Sequence, residues 1–169
     1  MKALIFDLDQ TLVDTEKIEY LRRARKWGSI SENISKVTPY KGIECVFSIA
    51  REKEIKLAIV SSSPSCYVQQ ILRHFNWSFD EVVCYHDSAK HKPDPEPFIE
   101  VLNRLKFPPG DCWTVGDNSI DIISARAAGI YTIGALWGSL DRESLINSRP
   151  DITLETVESL ISILQDKLT

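Results

Sequence analysis

Short apolar runs alternate with amphipathic segments along almost the whole chain, and this alternation limits the fold more than any other feature. The runs are ALIF (3–6), KLAIV (56–60), EVVCY (81–85), CWTVG (112–116) and YTIGAL (131–136), with a last short one at DIT (151–153). Runs that are apolar nearly throughout predict strands buried on both faces. Between them, residues 42–53 place Ile43, Val46, Phe47 and Ile49 on one side of a helix. Ser63-Pro64 announces a helix over 65–74, and Asp94-Pro95 another that runs to about Leu105. A helix over 119–128 stops at Gly129, and one over 156–168 closes the chain. Strands alternating with helices predict an α/β fold with a parallel sheet covered on both faces. The 169 residues suffice for one domain and are few for two.

Net charge is −4, which argues against broad electrostatic capture of nucleic acid or an anionic membrane, though a local basic patch is compatible with it. The N-terminus lacks the pattern of a secretion signal, and no apolar run approaches the ~18 residues of a membrane span. The expected location is the cytoplasm. Cys45, Cys66, Cys84 and Cys112 form no C-x-x-C pair and sit in apolar stretches, so small buried hydrophobes are expected.

Parallel sheets of this kind hold their ligands at the carboxyl ends of the strands. That rule gathers the polar residues. Asp7 and Asp9 follow the first run, Ser61, Ser62 and Ser63 the second, His86, Asp87 and Lys92 the third, and Asp117 and Asp121 the fourth. Two carboxylates so close at a strand end repel each other unless a divalent cation lies between them and other acids. Mg²⁺ suits such a set, because it takes carboxylates and a substrate phosphate as oxygen ligands. Thr11 and Ser61 add hydroxyls, and Lys92 adds a positive charge. An anion with several oxygens fits these donors, and phosphate is the natural one. One carboxylate can then act as nucleophile and a second as proton carrier. Singly, each piece has a plainer reading: a solvated loop for the D-x-D, a turn for the serines, a rigid turn for KPDPEPF, an N-cap for GDNSID. Four such pieces in order, each at a strand end, are not explained that way.

With these residues in view, the chain resembles the haloacid dehalogenase superfamily of hydrolases, in its phosphoglycolate phosphatase-like branch. FDLDQTLVDT, AIVSSSP, HKPDPEPF and VGDNSIDIISARAAGI resemble its four motifs, and YKGI, ALWG and PDITLETVESLISIL extend the likeness. The resemblance implies a Rossmann-like three-layer sandwich with a central, mainly parallel sheet, the first strand flanked by the second and the fourth. It implies Asp7 as the nucleophile, Asp9 as general acid and base, and Thr11 as the residue orienting the aspartate loop. Ser61 and Lys92 would hold the phosphoryl oxygens, with Ser62 beside them. Mg²⁺ would be held by the Asp7 side chain, the Asp9 carbonyl and Asp117, with Asp121 supporting it.

Two departures stand out. Gln10 occupies a position where glycine is usual in the first motif, and glycine eases a sharp turn. The segment at about 15–40 is also shorter than the helical lid of many relatives, which predicts a single, nearly capless domain over 1–169. Within it, LRRARKW places Arg22, Arg25 and Trp27 near the mouth. They would meet a second anionic group or a base on the substrate, or else form a solvated basic face with Trp27 packed on the core. The expected activity is phosphomonoester hydrolysis through a phosphoaspartate, on a small phosphorylated metabolite. A macromolecular substrate, a mutase, a dehalogenase and a non-catalytic phosphate-binding module are the alternatives. An open site also suits a second copy of the chain as its cover.

Overall fold

The computed structural model describes residues 1–166. Strands occur at β1 Ala3–Phe6, β2 Val13–Asp14, β3 Thr38–Pro39, β4 Lys56–Val60, β5 Glu81–Val83, β6 Cys112–Gly116, β7 Tyr131–Ala135 and β8 Ile152–Leu154. Helices occur at α1 Glu19–Arg23, α2 Ile30–Asn33, α3 Ile43–Glu52, α4 Ser65–His74, α5 Glu96–Leu105, α6 Ser119–Ala127, α7 Arg142–Asn147 and α8 Val157–Asp166.

Six strands form one parallel sheet in the order β5-β4-β1-β6-β7-β8. β1 is central, with Ile5 opposite Ala58 on β4 and Thr114 on β6. All four β1 residues are fully buried because both faces of the sheet are covered. Successive side chains of a strand point to opposite faces, and the two core clusters divide accordingly. Leu4 and Phe6 join Phe47 of α3, Ile71 of α4 and Leu160 of α8. Ala3 and Ile5 join Phe98 and Val101 of α5 and Ala125 of α6. The result is a three-layer α/β sandwich. Phe47 meets Phe6, Trp77 and Phe79 edge-on at 5.1 to 6.1 Å, contacts worth roughly 0.5–1.5 kcal/mol each beyond area burial.

The structure corrects several expectations at the edges. β5 ends at Val83 because Tyr85–Asp87 coil into a 3-10 turn, closed by Asp87 Oδ2 accepting from the Cys84 amide at 2.7 Å. The helix expected over 156–168 is described as far as Asp166; residues 167 and 168 lie outside the described residues. The antiparallel pair β2–β3 and helix α7 had no counterpart in the sequence reading. TEKIEYLRRARKW does not form one helix: a 3-10 turn at Glu16–Ile18 leads into α1, and Arg25 then takes a left-handed φ of 54°. The segment nonetheless adheres to the core through Ile18, Leu21, Ile30 and Val37. Cys84 and Cys112 are buried as expected, but Cys45 and Cys66 are exposed on helix outer faces. Among the described residues, no helix is long and apolar enough to cross a membrane.

Candidate active site

Every strand end named in the sequence reading opens on the same rim. Asp7 continues β1, its amide bonded to the Val115 carbonyl at 3.0 Å. The chain then turns tightly, with the Leu12 amide on the Leu8 carbonyl and the Gln10 amide on the Val13 carbonyl. Gln10 sits in the middle at a left-handed φ of 64°, which is why glycine suits this position; a side chain there costs about 1–2 kcal/mol. Its Oε1 accepts from the Tyr40 hydroxyl at 2.6 Å, a bond glycine lacks. The ALWG segment after β7 closes over the loop. Trp137 Nε1 donates to the Thr11 carbonyl at 3.0 Å. A Cβ on Gly138 would stand 1.8 Å from the Gln10 carbonyl oxygen, so only glycine fits beside the turn.

Lys92 ties three strand ends together. Its buried ammonium donates to Asp7 Oδ1 at 2.8 Å, Asp121 Oδ1 at 2.7 Å and the Val60 carbonyl at 2.6 Å. Burial works against this charge, but Asp121 and Asp7 outweigh it and hold the ammonium above its ordinary pKa. Asp121 stands in the first turn of α6, where its Oδ2 accepts from the Asn118 amide and Asn118 Oδ1 accepts from the Ile120 amide. Gly116 permits this approach, since a Cβ there would lie 2.5 Å from that of Asp121. Asp117 Oδ1 accepts from the Thr11 hydroxyl at 2.7 Å. Carboxylate oxygens of Asp7, Asp117 and Asp121 lie within 4.8 Å of one another. Burial, with Asp121 and Asp9 adding to it, pushes Asp7 up to about 7 despite Lys92. Burial and the neighbouring Asp7 and Asp121 likewise hold Asp117 well above the usual carboxylate range.

Asp9 is held by different partners. Its Oδ1 accepts from the Tyr67 hydroxyl at 2.5 Å, and its Oδ2 from Ser63 Oγ at 3.1 Å and Arg22 Nη2 at 2.8 Å. Burial and the Asp9 charge push the Tyr67 phenol up, so it remains a donor. Arg22 also bonds Glu19 and Thr15 and lies 5.7 Å from the Tyr67 ring centroid, while its buried Nε has no hydrogen-bond partner.

Asp7, Asp9, Ser61, Ser62, Asp117 and Asp121 line one cavity of about 200 Å³, and Arg22 stands at its wall. Thr11 and Lys92 lie behind it, fully buried and nearly so. Arg25 is not in this cavity; it borders a neighbouring one. The sequence reading placed Ser63 at the rim without a role and quoted YKGI and ALWG without the roles of Tyr40, Trp137 and Gly138, and it missed Tyr67 altogether. Tyr67 carried a signal, since a phenol on the buried face of a helix that starts at a strand end needs a polar partner.

A profile of haloacid dehalogenase-like hydrolases matches residues 18–135. The phosphoglycolate phosphatase of Aquifex aeolicus is 30% identical over 163 residues, covering 95% of this chain and 75% of that protein. The pyrophosphatase PpaX of Bacillus pumilus is 32% identical over 130 residues, covering 76% of this chain and 60% of that protein. The chain thus spans between three fifths and three quarters of these relatives. Among solved structures, CbbY from Rhodobacter sphaeroides in complex with phosphate matches with a TM-score of 0.82 at 18% identity, covering 95% of this chain and 96% of that one; at that identity the likeness concerns the fold.

Proposed function

The chain belongs to the haloacid dehalogenase-like hydrolase family, and from that premise we propose that it is a Mg²⁺-dependent phosphatase acting on a small phosphorylated metabolite through a phosphoaspartate at Asp7. The observation that carries this reading is Asp7 itself. It borders an open cavity while a buried ammonium holds its Oδ1, so its charge is restrained without being removed. Relatives named as phosphatases support the reaction class.

An oxygen of Asp7 attacks phosphorus, and the bond from phosphorus to the ester oxygen breaks. Asp9 delivers a proton to that leaving oxygen. A water then gives its proton back to Asp9 and its oxygen to phosphorus, which releases inorganic phosphate and restores Asp7. Ser61 holds the phosphoryl oxygens, Lys92 restrains the Asp7 charge from behind the cavity, Thr11 fixes the orientation of Asp117, and Arg22 with Tyr67 positions Asp9.

The residues fit a divalent cation. Three clustered carboxylates face one ammonium, and every side-chain atom the cluster offers a metal is oxygen. Asp7, Asp117 and the Asp9 carbonyl would hold Mg²⁺, supported by Asp121. Bound there, it supplies positive charge for the phosphoryl oxygens.

Phosphate release from a panel of phosphomonoesters, with and without Mg²⁺, tests the proposal. Release should depend on the metal and fall at least about 10³-fold in Asp7→Asn, because loss of a nucleophile removes the covalent route. Undiminished release by Asp7→Asn would sink the mechanism.

A further inference from the structure

Next to the aspartate cavity lies a second one of about 160 Å³, lined by Arg25, Trp27, Ser62, Pro64, Tyr85 and His86. Ser62 borders both cavities, so a molecule with its phosphate beside Asp7 can extend past Ser62 into the second. The combined space reaches the lower end of the ~300–1,000 Å³ typical of small-molecule sites. Two separate parts of the chain supply the walls. Trp27 comes from the segment between β2 and β3, and Tyr85 and His86 come from the turn after β5.

The aromatic walls are already braced. Trp27 packs on Tyr67 with ring centroids 5.5 Å apart. Tyr85 stacks on His91 at 3.8 Å and 22° between planes, and meets His86 edge-on at 5.0 Å. Yet Tyr85 stays 39% exposed. Rings fixed by neighbours and left facing a cavity lose little side-chain entropy when a ligand stacks on them. Arg25 and His86 add hydrogen-bonding groups at the same wall, and Arg25 adds positive charge. A short phosphorylated acid would leave the second cavity unfilled. A flat heterocycle would stack on the rings and present acceptors to the guanidinium.

We infer that this cavity is a leaving-group subsite for a planar aromatic heterocycle, making a nucleoside monophosphate the substrate class. The inference rests on the phosphatase reading for the neighbouring cavity and deepens it. The phosphate lies against Asp7 and Ser61, the sugar crosses Ser62, and the base enters between Trp27 and Tyr85.

The test compares kcat/KM for nucleoside 5′-monophosphates with that for ribose 5-phosphate, which has the same phosphate and sugar but no base. Wild type, Trp27→Ala and Tyr85→Ala are assayed as full chains. Trp27 supports Tyr67, so the exposed Tyr85 provides an independent variant. The wild type should prefer the nucleotide at least about tenfold, in keeping with base–aromatic stacking elsewhere, and the ratio should fall toward one in the Tyr85 variant. A wild-type ratio near one, a ratio untouched by both substitutions, or a stronger preference for phosphoglycolate would overturn the subsite while leaving the phosphatase reading in place. Release from no ester would count against the phosphatase reading alone. Calorimetric binding of the nucleotide to Asp7→Asn, with and without Tyr85→Ala, then decides the subsite. Binding at least tenfold weaker in the double variant supports it, and absent or equal binding overturns it.

Discussion

Asp9 and Gln10 are adjacent, and each depends on residues far away in the chain. The three donors on Asp9 come from the segment after β2, the end of β4 and the first turn of α4. Removing the phenol hydroxyl in Tyr67→Phe frees one oxygen of Asp9 while Arg22 and Ser63 still hold the other. Steady-state kinetics should show kcat lowered about tenfold with KM little changed, a fraction of the ~10²–10⁴ that a positioned acid–base group contributes. Arg22→Gln removes the ion pair and a cavity-wall charge together, so KM should rise as kcat falls. At Gly138 the issue is space. A methyl group 1.8 Å from the Gln10 carbonyl cannot be accommodated without moving the aspartate loop. Gly138→Ala should lose about 3 kcal/mol or more, the upper range for overpacking, visible in a denaturant titration and accompanied by lost activity. A variant as stable and active as wild type would show that the loop yields easily. Gln10 was legible as an unusual residue, but not its compensating bond to Tyr40, since nothing local links positions 30 residues apart.

At the scale of elements, the long helices and central strands were readable because their apolar residues repeat with a definite period. β4, α4 and β6 match the reading to the residue. The two-residue strands β2 and β3 have no period to read, and α7 spans only six residues. The basic segment after residue 15 failed for another reason. Its composition suits a helix, but Leu21 and Ile30 both reach the core, and one straight helix does not deliver both. The start of α6 carries its own prediction. Asn118 caps the helix through the Ile120 amide, so Asn118→Ala should cost about 1 kcal/mol. Activity should fall as well, because Asp121 is held by the same turn; an equal melting temperature and rate would argue that the cap is dispensable.

For the whole molecule, the rim is a charge imbalance built into the fold. Asp7 is raised to about 7 and Asp117 is raised as well, so the folded protein favours their protonated forms more than the unfolded chain does. Their contribution to stability is therefore fully present below about pH 4, and that of Asp7 is lost as pH rises through 7. In chelator, the melting temperature should fall between about pH 5 and pH 8 as Asp7 ionises. Mg²⁺ should raise it most at the high end, because a metal binds the deprotonated carboxylates. Equal effects of Mg²⁺ at pH 5 and pH 8 would remove the link between the carboxylates and the metal.

Residue pattern alone determined the α/β alternation, the parallel sheet and the gathering of Asp7, Ser61, Lys92 and Asp117 on one rim. These follow from short-range periodicity and from the rule that all parallel strands end on the same side. Only the tertiary structure decided that Lys92 would bridge Asp7 and Asp121, that Arg22, Ser63 and Tyr67 would hold Asp9, and that Trp27 and Tyr85 would border one cavity. Such pairings depend on where loops of unrelated sequence come to rest against each other, and no local preference of the chain encodes that.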